Sequence, residues 1–144
     1  MKDVLIREIA VEDFKHIYLL NKELGYEYKL EKVATRIKHI LENTKDIILV
    51  AEYNNEVIGY IHGTPYESLR FDSIVNLLGF VVEERYRNKG IGNILIESLE
   101  YRVKKMGFSG IRLLSGCNRI NAHKFYENHG YSVNRIQKKF IKLF

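Results

Sequence analysis

Val81-Val82-Glu83-Glu84-Arg85-Tyr86-Arg87-Asn88-Lys89-Gly90-Ile91-Gly92 is where one kind of structure ends and another begins. Upstream, Ile74 to Val82 is a nearly continuous apolar run, as expected of a strand buried on both faces. Gly79 interrupts it and marks a candidate bulge. Downstream, Gly90 to Met106 repeats its apolar residues at helical spacing, and Gly107 stops it. The two glycines remove side chains where the backbone must approach a ligand. The first N–H groups of the helix lack internal partners and form an anion site, to which Arg87 and Lys89 add formal charge. Leu95 breaks the Gly-x-Gly-x-x-Gly pattern, and no Gly-Lys-Ser/Thr occurs. The stretch therefore predicts a phosphate-binding strand-loop-helix that is neither a Rossmann fingerprint nor a nucleotide P-loop.

Working outward, Val4 to Ile9 predicts a first strand. Val11 to Leu24 and Leu30 to Glu42 predict two helices, with Phe14, Ile17, Leu20 and then Val33, Ile37, Ile40 on single faces. Ile47–Tyr53 and Val57–Ile61 predict a hairpin about Asn54-Asn55. Gly63 to Ser73, with the one proline, Pro65, predicts a loop. Ile111 to Leu114 predicts a strand, Arg119 to Asn128 a short helix closed by Gly130, and Tyr131 to Phe144 a last strand. The order β-α-α-β-β-β-α-β-α-β predicts a mixed α/β fold with helices around a twisted sheet. A chain of 144 residues, 46% apolar, suits one domain over residues 1–144 with one core.

No apolar run is long enough to span a bilayer, so no membrane partner is expected. Met1-Lys2-Asp3 leads straight into the first strand, so no leader is expected, and the lone Cys117, read as a small buried residue at a strand end, suits a reducing cytoplasm. Residues 1–76 hold 10 Lys and Arg against 13 Asp and Glu, a net of −3; residues 77–144 hold 13 against 5, a net of +8. That split suits a protein joining a polyanionic cofactor to a cationic acceptor. A nucleic-acid partner is not expected, because no recognisable motif supplies stacking aromatics among the basic residues. His123 and His129, six apart, do not suit a metal site on a helix, and no metal is expected.

Arg87-Asn88-Lys89-Gly90-Ile91-Gly92 resembles the Arg/Gln-x-x-Gly-x-Gly/Ala motif of the GNAT superfamily of acyl-CoA N-acetyltransferases. Asn121-Ala122-His123-Lys124-Phe125-Tyr126, continuing to Gly130-Tyr131, is similar to that family's second motif, with a shorter Asn-to-Ala spacing than its commonest form. Glu84 stands where many members have proline. The resemblance covers nearly the whole chain in element order and implies a GNAT-like, mostly antiparallel twisted sheet flanked by helices. It implies acetyl-CoA as cosubstrate and transfer of its acetyl group to a primary amine by direct attack on the thioester. It further implies that the strand residues Phe80, Val81 and Val82 lie along the pantetheine arm, with backbone groups of Phe80 and Val82 pairing with it. By the same implication the amides of Arg87, Asn88, Lys89, Gly90, Ile91 and Gly92 hold the pyrophosphate. Asn121 would contact the cofactor, and Tyr126 would sit near the thioester sulfur.

The chemistry adds requirements of its own. A primary amine with a pKa of about 10.4 is mostly protonated at pH 7, so its proton needs an acceptor. Related enzymes often carry a glutamate on the central strand, whereas Asn76-Leu77-Leu78-Gly79 has no carboxylate. His62, on the neighbouring strand, is the titratable candidate, with a water chain as the alternative. A phenol is a neutral donor that survives burial, so Tyr126 is a candidate donor to the departing thiolate. On the acceptor side, Glu27, Tyr28, Tyr66 and Glu67 lie in segments where carboxylates beside aromatics can hold a small cationic amine. The alternatives are a peptide N-acetyltransferase and, because the strand carboxylate is missing, a non-enzymatic acyl-CoA-binding module. A homodimer is compatible with the sequence.

Overall fold

Asn54 and Asn55 both take positive φ, 51° and 62°, the conformation of a two-residue hairpin turn. They fold β2 (Ile47–Tyr53) back onto β3 (Glu56–Ser68), the pair around which the computed structural model is built. The structure describes residues 1–144, which fall into two compact units, Met1–Leu113 and Leu114–Phe144.

In the first unit, β1 (Leu5–Glu8), β2, β3, β4 (Phe71–Val82) and β5 (Ile111–Leu113) form one sheet in sequence order. The first four are antiparallel neighbours, and β5 runs parallel to β4. α1 (Phe14–Glu23) follows a single 3-10 turn, Val11–Asp13, and α2 is Leu30–Asn43. Ile17 and Leu20 of α1 and Val33 and Ile37 of α2 bury their stripes with Ile9, Ile48, Val50, Val57 and Val81. Each such burial contributes about 1.5–3 kcal/mol. The β1–α1 junction is held by Asp13, 7% exposed, which accepts two 2.9 Å hydrogen bonds from Arg7 and one of 2.8 Å from the Ala10 N–H.

α3 (Ile91–Lys105) crosses from β4 to β5 and buries Ile91, Leu95, Ile96, Leu99 and Val103. It packs close to β3 because Gly63 has no side chain. A Cβ there would sit 2.7 Å from Val75 Cγ1 and 3.4 Å from Leu99 Cδ1.

Three expectations need correction. Gly63 to Ser73 is not a loop: β3 runs on to Ser68 and β4 starts at Phe71. β2 pairs with β3 only as far as Gly63, so Pro65 lies where β3 has one neighbour and a missing N–H is tolerated. Tyr131 to Phe144 is not a strand, and it carries no regular structure. Its apolar residues Val133, Ile136, Phe140, Ile141 and Leu143 follow no period of two, so no face exists to fix a register. The second unit is organised by α4 (Ile120–Asn128), closed by Gly130 at φ 87°. Cys117, expected buried, is exposed in the segment before α4. No helix is long and apolar enough to cross a membrane.

Candidate active site

β4 is where the sheet opens. β5 pairs with it only at Val75, Asn76 and Leu77, whereas β3 follows it to Val82. Between these stretches the β3–β4 register slips by one residue: His62 faces Gly79 and Gly63 faces Leu77. Leu78 is the extra residue, 55% exposed, so the bulge expected around Gly79 is there. Beyond it, Glu83 N–H donates to Ile58 O at 2.7 Å. Backbone groups alternate along a strand, so those of Val82 and Phe80 point away from β3. Val82 O indeed accepts from Arg87 Nε at 2.9 Å.

The loop after β4 makes one 3-10 turn, Glu84–Tyr86. Arg87 N–H is spent on Glu84 O at 3.3 Å, and its guanidinium braces Val82 O and, at 3.4 Å, Glu23 of α1. Glu23 also accepts from Glu84 N–H at 3.2 Å. Arg87 is thus a brace for the loop, a role the sequence did not indicate. The amides from Asn88 to Gly92 make no hydrogen bond within the protein, so the free run starts one residue later than expected. Asn88 and Gly90 both have positive φ, 61° and 85°, which curls this run toward the start of α3. A Cβ at Gly90 would meet nothing within 4 Å, so the space in front of the amides is open. Amides, Lys89 and the α3 dipole together suit a pyrophosphate.

On the sheet face opposite α3, a cavity of ≈ 200 Å³ lies among α1, α2, β2 and β3. Its polar lining is Asn21, Tyr28, Arg36, Tyr60 and His62. Tyr60, packed over Gly79, donates to Asn21 Oδ1 at 2.6 Å; burial pushes its hydroxyl up to about 12, keeping it a donor. His62 Nε2 lies 2.7 Å from Asp46 Oδ2, and Asp46 Oδ1 accepts from Thr64 Oγ1 at 2.6 Å. The Asp46 and His62 side chains are 8% and 16% exposed. A carboxylate can only accept, so Nε2 is the nitrogen that donates to it, and in the neutral ring the lone pair is on Nδ1. The neutral imidazole is thereby held in one tautomer. Asp46 was missed in the sequence because it precedes β2 by one residue and shares no motif with His62.

Of the acceptor-side residues, Tyr28 lines this cavity, and Glu27, Tyr66 and Glu67 do not. Glu27 is exposed between α1 and α2. Tyr66 packs on Phe71 with ring centroids 5.7 Å apart, and the Arg112 guanidinium lies 4.6 Å from its ring centre. In the second unit, Asn121 is exposed on the first turn of α4. Tyr126 contacts the rings of Phe125 and Tyr131 at centroid distances of 5.6 and 6.0 Å. Burial pushes its phenol above the usual value, Arg119 offsetting part of the rise, so it too stays protonated.

The model of the acetyltransferase (GNAT) family matches residues 6–131, through both segments read as motifs. The chain belongs to the acetyltransferase (GNAT) family. As a family member it is an acetyl-CoA-dependent acyltransferase. It is 26% identical over 124 residues to the uncharacterized N-acetyltransferase YhdJ of Bacillus subtilis (strain 168), covering 85% of this chain and 87% of that one. In fold it is similar to a transcriptional regulator from Bacillus halodurans C-125, with 22% identity, a TM-score of 0.85, and coverage of 96% and 99%. It is equally similar in fold to AAC(6')-Iy, solved with the bisubstrate analog CoA-S-monomethyl-acetylneamine, at 17% identity, a TM-score of 0.85, and coverage of 99% and 100%. The mixed α/β architecture, with an open and mostly antiparallel five-stranded sheet, is the GNAT fold expected from the motifs.

Proposed function

We propose that the protein, acting as one domain over residues 1–144 in the cytoplasm, acetylates the primary amine of a small molecule by direct transfer from acetyl-CoA. The observation that carries this reading is the pairing of two features on one sheet. Unpaired amides at Asn88 to Gly92 open α3, and a tautomer-fixed His62 lines a small cavity on the strand beside β4.

Acetyl-CoA supplies the acetyl group as an activated thioester. The amides of Asn88, Lys89, Gly90, Ile91 and Gly92 hold its pyrophosphate, with Lys89 contributing charge. Phe80 and Val82 offer outward backbone groups to the pantetheine arm, with Val81 buried between them as the strand's anchor in the core. Asn121 adds a polar contact to the cofactor. Arg87 holds the loop rather than the phosphate.

The acceptor arrives as a protonated, cationic amine. Freeing its lone pair at pH 7 costs about 4–5 kcal/mol, at 1.36 kcal/mol per unit of pKa. His62 Nδ1 takes that proton, directly or through one water, and Asp46 stabilises the imidazolium that forms. The new N–C bond forms as the C–S bond breaks, Tyr126 donates a hydrogen bond to the developing thiolate, and the second proton, shed by the acylated nitrogen as it becomes an amide, passes through water to the departing thiolate. Transfer of the phenol proton is uphill, since phenol is a weaker acid than the thiol and burial weakens it further. Stabilisation rather than full protonation is therefore its role. Tyr28 contacts the acceptor from the α2 side. The test is a panel of amines incubated with acetyl-CoA and followed by free thiol and by product mass. The reading requires thiol and N-acetylated amine in equal amounts; thiol without acetylated amine would refute transfer.

A further inference from the structure

We propose that the acceptor is a small amine that also carries an anionic oxygen group, a carboxylate or a phosphate, and that Arg36 of α2 selects for it. The proposal rests on the acetyltransferase reading above and adds the substrate class.

The sequence pointed to carboxylates gripping a cation, yet no Asp or Glu lines the cavity. Its charged lining residue is Arg36, which makes no hydrogen bond or ion pair. On a helix surface an arginine can pair with a carboxylate three or four residues away. Here those positions are Lys32, Val33, His39 and Ile40, none of them acidic. Arg36 instead shares its face with Val33 and Ile40, both of which line the cavity. Its planar fork of donors suits bidentate binding of carboxylate or phosphate. Asn21 gives its Oδ1 to Tyr60, which leaves its amide N–H groups available as further donors. Anion-binding donors from α1 and α2 therefore line one cavity with the proton acceptor His62 from β3. An amine and an anion in one small molecule satisfy both.

Size and charge narrow the class further. The cavity, ≈ 200 Å³, is below the roughly 300–1,000 Å³ of drug-sized sites. A polycationic acceptor would place a second ammonium near the Arg36 guanidinium with no carboxylate in the lining to offset it.

The experiment compares kcat/KM, by thiol release, for four sets of amines: free amino acids, the corresponding amino acid amides, aminoalkyl phosphates, and diamines. One anionic set should exceed the amides and diamines, and which one does identifies the group. Arg36→Ala should lower the ratio of anionic to amide kcat/KM by about 10- to 100-fold, and Arg36→Lys should restore part of it. Amides or diamines used as well as the anionic sets, or an unchanged ratio in Arg36→Ala, would overturn the proposal. Calorimetric titration with N-acetylated amino acids and N-acetylaminoalkyl phosphates separates the two readings. If nothing is acetylated but wild type binds one of these anions more tightly than Arg36→Ala does, the acetyltransferase reading fails and the anion site stands. If neither binding nor turnover depends on Arg36, the anion site fails alone.

Discussion

Replacing Asp46 with Asn changes one atom and should disable His62. In the native pair Asp46 Oδ2 receives Nε2–H at 2.7 Å while Oδ1 receives the Thr64 hydroxyl at 2.6 Å. An Asn side chain has one oxygen. If it keeps Thr64, its NH₂ faces His62, and the ring must accept at Nε2 and carry its proton on Nδ1. The nitrogen needed as proton acceptor is then blocked. kcat should fall by about 10²- to 10⁴-fold, the range ascribed to a positioned general base. The fold should lose only about 1–2 kcal/mol, because one charge-assisted hydrogen bond becomes a neutral one. Asp46→Ala should be worse for the fold, leaving the imidazole and the Thr64 hydroxyl unpaired at about 1–3 kcal/mol each. The assay is thiol release at saturating acetyl-CoA, with a thermal melt of each variant. His62→Gln alone and together with Asp46→Asn should match the single Asp46→Asn variant, because the two residues act as a unit. A folded Asp46→Asn enzyme turning over within about threefold of wild type would refute the base assignment.

Gly90→Val, at φ 85° and facing the open space before the amides, should weaken acetyl-CoA binding by at least about tenfold in calorimetry while the domain still melts cooperatively. Tyr126→Phe should lower kcat by roughly 10- to 1,000-fold with little change in acetyl-CoA affinity; because burial raises this phenol's pKa, wild type should show no loss of turnover from its ionisation up to about pH 9. Asp13 is held below the usual carboxylate range: burial opposes its charge, but Arg7 and the Ala10 N–H outweigh it. Its stabilisation is therefore present above the unfolded-state pKa of about 3.9 and lost as pH falls through the lower folded value. Asp13→Asn should thus cost about 1–3 kcal/mol in urea melts at pH 7, with the gap to wild type closing in acid.

The fold was legible wherever local pattern and tertiary demand agreed. Ile47–Tyr53 is β-branched and ends at Asn-Asn, and it forms β2 with those bounds. The helix opening at the paired glycines is α3, Ile91–Lys105. Pro65 misled because proline signals a loop unless the strand beyond it has lost a neighbour, and strand neighbours are a tertiary fact. The Asp46–His62 pair was hidden by a register. From the Asn54-Asn55 turn, Tyr53 faces Glu56 and Glu52 faces Val57, and that register continued along β2 would place Asp46 opposite Gly63. A one-residue bulge after Ala51 makes Ile47 face Gly63 instead, so Asp46 extends toward Thr64 and His62. The cavity on the α1–α2 face was illegible for a similar reason, since Asn21, Arg36, Tyr60 and His62 come from three elements. Arg87 adds positive charge beside the loop in the sequence, and only the fold shows its guanidinium on Val82 O and Glu23.

The central claim is that this chain moves an acetyl group from acetyl-CoA to a small amine, using the α3 amides for the cofactor and His62 for the proton. Mass analysis of the amine panel after incubation with acetyl-CoA and wild type, Gly90→Val or His62→Gln tests it most directly. The account predicts N-acetylated amine with wild type, matched one for one by free thiol, a rate with Gly90→Val that recovers as acetyl-CoA is raised, and a low rate with His62→Gln that does not recover. No acetylated amine from any class, with wild type folded and saturated with acetyl-CoA, would contradict it.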